Sequence, residues 1–72
     1  MLSQVLKKLG ARIRELRVKR GWSQEEFAAN CNLHRSHMGE IERGNANITL
    51  STLLVITFKL QITVSALFQD IG

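Results

Sequence analysis

The chain has 72 residues, with 10 Lys or Arg against 6 Asp or Glu, a formal charge of +4 and an isoelectric point near 10.0. That length holds one small domain whose own core is marginal, so self-association adds stability, and the basic balance is the footprint of a nucleic-acid partner. A single cysteine excludes an intramolecular disulfide framework, and the longest apolar run, Leu53 to Phe58 broken by Thr57, is too short to cross a bilayer.

In chain order, Ser3 is the expected N-cap of a first helix running to about Lys19, with Leu6, Leu9, Ile13 and Leu16 on one face and Gly21 as its stop. Gly10 inside that helix costs roughly 1 kcal/mol relative to alanine. Ser23 and Glu26 have the spacing of a capping box, in which a hydroxyl and a carboxylate each satisfy the other residue's backbone amide. They open a second helix over about 24–30 that carries Phe27, Ala28 and Cys31 inward. It ends at Asn30-Cys31-Asn32, where asparagine tolerates the left-handed conformation of a tight turn. A third helix over about 35–42 starts near His34, buries Met38 and Ile41 and stops at Gly44. Asn45-Ala46-Asn47 is a loop, Thr49 caps a fourth helix to about Leu60, and Thr63 caps a fifth from Val64 to Gln69. With no proline, repeat or linker, residues 1–72 read as one all-α domain of five short helices.

The charge is unevenly spread. Residues 1–47 hold nine Lys or Arg against five Asp or Glu, whereas residues 48–72 hold only Lys59 and Asp70. The positive charge therefore lies in the part of the chain that carries the helix-turn-helix, and the C-terminal third is nearly uncharged. Two short helices joined by a tight turn, here over about 24–42, make a helix-turn-helix, whose second helix enters a major groove. Arg35 at the start of that helix suits a bidentate pair with guanine, with a phosphate contact as the plainer role. Ser36 and His37 follow on the same polar arc and reach either a base edge or a phosphate. Gln24, opening the helix that crosses the backbone, is placed to hold a phosphate beside free amides. Arg43, Asn45 and Asn47 in the loop beyond read as further phosphate clamps. Arg43 has the minor groove as an alternative, and the two asparagines have turn formation.

The basic first helix, Ser23-Gln24-Glu25-Glu26, Ala28 and Ile41-Glu42-Arg43-Gly44 together resemble the lambda-repressor-like DNA-binding domains, the Cro and phage-repressor group, over about residues 9–68. Within that family, Leu33-His34-Arg35-Ser36 followed by Glu42-Arg43-Gly44, Asn47 and Thr49 is most similar to the controller proteins of restriction–modification systems. The resemblance implies a five-helix fold and a stand-alone dimer that regulates its own operon and an endonuclease gene. It assigns the phosphate contact to Gln24. It also turns Glu40 toward the groove, where a carboxylate accepts from cytosine N4 or pairs with a neighbouring arginine. It makes Arg17 and Glu42 a largely buried ion pair between the first and third helices, and puts Cys31 and Trp22 in the core. Two positions depart from the family pattern: Asn32 stands for its turn glycine, and Gln61 for the glycine ending the fourth helix.

Cys31, His34, His37 and Glu40 recur every three residues and include zinc-ligand types. One local segment, however, lacks the paired, separated ligand clusters of a structural zinc module. Pairing Cys31 with His37 as nucleophile and base leaves no orienting third group. Neither a metal, a cofactor nor an enzymatic activity is expected.

In the fourth helix, Leu50, Leu53, Leu54, Thr57 and Leu60 are the expected core stripe, leaving Val55 and Phe58 on the flank with Ile56 beyond. Val55 and Phe58 with Ile62, Val64, Leu67 and Phe68 form the expected dimer interface, covered by a second copy through a two-fold axis, the alternative being that helices one and five cover each other within one chain. The expected function is sequence-specific regulation of transcription by a homodimer on double-stranded DNA. The chain is expected to act in the cytoplasm, with no membrane and no small-molecule effector. The alternative is the antitoxin of a toxin–antitoxin pair, whose apolar C-terminal surface grips a toxin as well as, or instead of, a second copy.

Overall fold

The computed structural model describes residues 2–71 as five helices in the order α1 (Leu2–Lys19), α2 (Gln24–Asn30), α3 (Arg35–Arg43), α4 (Leu50–Leu60) and α5 (Val64–Leu67). Side-chain caps mark four of the starts. The Ser23, Thr49 and Thr63 hydroxyls accept from the amides of Glu26, Thr52 and Ala66, and His34 performs the same task for α3 with a ring nitrogen. Ser3, expected as a cap, instead lies in the first turn of α1. α5 is shorter than expected, ending at Leu67 because Phe68 leaves helical geometry at its C-cap.

The turns are made where the backbone requires a left-handed residue. Gly44 closes α3 at φ 77°, and the following Asn45 amide donates to the Glu40 carbonyl at 2.9 Å, a Schellman closure. Asn32 and Gln61, the two residues standing where the family has glycine, both adopt φ 58°. An L side chain in that region is strained, and asparagine is among the residues that tolerate it best.

The core is built from Leu9, Ile13, Phe27, Met38, Ile56, Leu60 and Leu67, with Leu53, Ile41, Ala28 and Cys31 around them. Trp22 stacks on Phe27 with ring centroids 5.5 Å apart, and the Arg20 guanidinium lies over its indole while donating to the Leu60 carbonyl. That bond ties the end of α1 to the end of α4. α1 packs most extensively on α3, and Gly10 explains how. A Cβ at that position would lie 2.3 Å from the Ile41 carbonyl oxygen and 2.6 Å from that of Glu42. The glycine is the point where two helix backbones meet, so its low helix propensity is the cost of close approach.

The C-terminal helices correct the sequence expectation in three places. The buried stripe of α4 is Leu53, Ile56, Thr57 and Leu60, whereas Leu50 and Leu54 are 69% and 48% exposed. Ile56, expected on the outer flank, is fully buried. Leu67, expected at a dimer interface, is also fully buried and belongs to the intramolecular core, and Ile62 and Phe68 pack against that core with part of their surface outside. The reason is the position of α5: it folds back under α4 and takes one flank of it into the monomer. Val55, Phe58 and Val64 stay exposed.

Candidate nucleic-acid interface

The helix-turn-helix is assembled from local interactions. Ser23 Oγ accepts from the Glu26 amide at 3.0 Å and the Ser23 amide donates to Glu26 Oε1 at 2.8 Å, so both halves of the capping box are present. These bonds hold the Glu26 carboxyl below the ordinary carboxylate range. Phe27 and Ala28 anchor the other face of α2. Cys31 turns inward at the end of that helix, and burial pushes its thiol pKa up, so it packs as a small neutral hydrophobe. It is buried, whereas His34 and His37 are exposed. Among the described residues no three His, Cys, Asp or Glu side chains gather closely enough to hold a metal.

In α3, Met38 and Ile41 face the core while Arg35, Ser36 and His37 are exposed at its N-terminal end. The guanidinium of Arg35 is only loosely engaged, 3.4 Å from Glu25 Oε2 with both side chains mostly in solvent. An exposed pair of that length contributes little stability and competes weakly with a base or phosphate. Ser36 is more constrained, with its hydroxyl 2.7 Å from His34 Nδ1. Glu40, expected toward the groove, is paired with Arg43 at 2.8 Å. Asn45 and Asn47 lie exposed in the following loop.

Behind this face sits a buried polar cluster. Arg17 Nε donates to Glu42 Oε2 at 2.8 Å and Arg17 Nη2 to Glu42 Oε1 at 3.0 Å, a two-point fork that clamps α1 to α3. Arg17 Nη1 also donates to the Trp22 carbonyl at 2.8 Å, which fixes the connection into α2. Gln24 joins the cluster, its Nε2 donating to Glu42 Oε1 at 3.1 Å. The side chain expected at a phosphate is therefore oriented by the buried ion pair, a link that residue spacing alone does not reveal.

Two participants were missed at the sequence level. Gly39 sits mid-helix, and a Cβ there would lie 3.2 Å from both Gln24 Oε1 and an Arg43 guanidinium nitrogen, so its missing side chain makes the notch they occupy. Arg14 lines the same shallow cleft as Gln24, Arg17, Glu42 and Arg43, adding a cation to it. Its place three residues before Arg17 on α1 was the available signal.

A family model described as helix-turn-helix matches residues 13–67. The chain belongs to the lambda-repressor-like helix-turn-helix family. It is 42% identical over 65 residues to the control protein C.MunI of Mycoplasma sp, covering 89% of this chain and 88% of that protein. Among solved structures it is similar to the restriction-modification controller protein C.AhdI from Aeromonas hydrophila, with a TM-score of 0.84 and 43% identity over 88% of this chain and 96% of that one. It is also similar to the controller protein C.Esp1396I, solved as a tetramer in complex with its natural 35 base-pair operator, with a TM-score of 0.81 and 30% identity over 93% of this chain and 88% of that one. The chain is thus a DNA-binding transcription regulator of the controller-protein type rather than an enzyme. No helix among the described residues is long and apolar enough to cross a membrane.

Proposed function

We propose that this protein acts in the cytoplasm as a homodimer that reads a two-half-site operator through paired α3 helices, about 34 Å apart along one face of the duplex. The observation that carries the reading is the division of α3 into two faces. Its apolar face and Glu42 are locked to α1 and the core, and its N-terminal arc of Arg35, Ser36 and His37 is left exposed to solvent. Arg35 and Ser36 are the base readers, His37 contributes a base or phosphate contact, and Glu40 acts through its pair with Arg43. Gln24, Arg43, Asn45 and Asn47 hold phosphates, joined by Arg14. Arg17 and Glu42 are structural.

The dimer surface we assign is the exposed apolar stripe of α4 and the start of α5: Leu50, Leu54, Val55, Phe58 and Val64. A second copy through a two-fold axis covers it isologously. No small-molecule effector enters this scheme; concentration acting through the dimer equilibrium supplies the control. The same stripe supports the antitoxin reading, in which another protein covers it. The neighbouring gene separates the two: a toxin gene supports the antitoxin reading, and an endonuclease with its methyltransferase supports the regulator.

Salt tests groove docking. Neutralising roughly six to ten phosphates per dimer lowers affinity by about 10³–10⁵ between 50 and 200 mM salt. Affinity that barely moves over that range rules the docking out.

A further inference from the structure

The base that Ser36 reads is restricted by a neighbour that touches no DNA in this scheme. His34 Nδ1 lies 3.1 Å from the Ser36 amide nitrogen, which donates to it, and 2.7 Å from Ser36 Oγ. An amide N–H has no acceptor capacity, so Nδ1 must carry the ring's lone pair. The hydroxyl contact then has one possible polarity: Ser36 donates its hydrogen to Nδ1. A serine hydroxyl has one hydrogen and two acceptor lone pairs. With the hydrogen committed to His34, Oγ offers the groove lone pairs alone.

We propose that His34 is a positioning residue that fixes Ser36 as an acceptor, so that the base facing Ser36 presents an amino group. In the major groove only adenine N6 and cytosine N4 are donors, whereas guanine N7 and O6 and thymine O4 are acceptors. An unrestrained serine rotates its hydroxyl to suit either kind; this one meets guanine or thymine with lone pair against lone pair. The inference rests on the groove-docked reading of α3 and adds the chemical class of base at one position. The choice of cap suits the role. Histidine is an uncommon N-cap beside Ser, Thr, Asp or Asn, and here one nitrogen both caps α3 and orients its second residue.

The test is selection from a duplex pool with a randomised centre, run with the full wild-type chain and with Ser36→Ala, His34→Ala and His34→Asn. Helical circular dichroism accompanies each protein. Ser36→Ala identifies the position, because the preference there collapses while the others persist. At that position the wild type should favour adenine or cytosine by about two- to twelvefold, the range a single net hydrogen bond supports. His34→Ala frees the hydroxyl and admits guanine and thymine there, with the base chosen by Arg35 unchanged. His34→Asn restores the restriction, because its carboxamide oxygen replaces Nδ1 as cap and acceptor. A merely structural cap weakens all sequences alike and leaves the preference in place. The proposal is overturned if Ser36→Ala collapses a preference for guanine or thymine, or if His34→Ala keeps the adenine-or-cytosine preference. A consensus that survives Ser36→Ala at every position removes Ser36 as a base reader and the proposal with it, leaving groove docking intact. A wild type that enriches no sequence overturns the docked reading itself.

Discussion

Gly39 shows how a residue with no side chain shapes a binding surface. Glycine in a helix interior costs about 1 kcal/mol relative to alanine, yet here it lies mid-helix on α3 with Gln24 and Arg43 over it. Gly39→Ala removes that backbone cost while pressing a methyl group against two flexible side-chain ends, which give way by a few tenths of an ångström. Stability in urea should therefore change by less than about 1 kcal/mol. DNA affinity by fluorescence anisotropy should fall by an amount typical of one disturbed hydrogen bond, about 0.5–1.5 kcal/mol per half-site. Arg35 and Gln24 separate by specificity. Arg35→Ala should lose roughly 1–3 kcal/mol per half-site and flatten discrimination at one base pair, whereas Gln24→Ala should weaken all sequences evenly. Competition binding against single-base operator variants distinguishes them. An Arg35→Ala protein that keeps its preferred base at every position makes Arg35 a backbone contact.

At the scale of elements, what was legible in the sequence was local. Ser23 with Glu26, Thr49, Thr63 and Gly44 each act within one turn of their own position, so spacing alone located the ends they control. Ser3 carries the same local signal whether it caps a helix or sits in its first turn, and there spacing does not decide. His34 carries no cap signal in its residue type, because a ring nitrogen here does the work of the oxygen that the usual residues supply. The faces of α4 were not legible for a different reason. Leucine, isoleucine, valine and phenylalanine occur all round it, so periodicity does not mark the buried side, and the packing of α5 chooses Ile56 over Leu54. Of the binding cluster, the residue types were readable, but the bond from Gln24 to Glu42 spans 18 positions and exists only in the fold. The capping box of α2 makes a pH prediction. Its bonds lower the folded-state pKa of Glu26, so the unfolded chain binds more protons in the window between the two values. Glu26 thus contributes stability that is present above the ordinary carboxylate range and lost as pH falls through the folded value. Glu26→Gln keeps a capping-box partner that does not titrate. Thermal midpoints by circular dichroism should fall less steeply on acidification in that variant than in the wild type, and parallel acid limbs would remove the capping box from the pH dependence.

For the molecule as a whole, the question is which apolar groups hold the monomer and which hold the dimer, and exposure separates them. Leu67 has no surface outside the monomer, and Leu67→Ala should cost about 2–5 kcal/mol through the cavity it leaves. That is a large share of the roughly 5–15 kcal/mol that keeps a domain folded. Phe58 is 76% exposed, and the Lys59 ammonium lies over its ring, 5.9 Å from the centroid. Little of the monomer depends on it. If a second copy covers α4, Phe58 is the largest group in the stripe and its burial falls on the association equilibrium. Phe58→Asp places a charge on the surface where two copies would meet and leaves the buried core residues in place. The variant should keep the helical circular dichroism and thermal midpoint of a folded chain, sediment as a monomer, and bind operator DNA far more weakly, because one half-site supplies half the phosphate and base contacts. Raising its concentration should not restore cooperative binding. A Phe58→Asp protein that still sediments as a dimer would move the interface away from α4. One that unfolds would mean Phe58 is needed within the fold, despite its exposure.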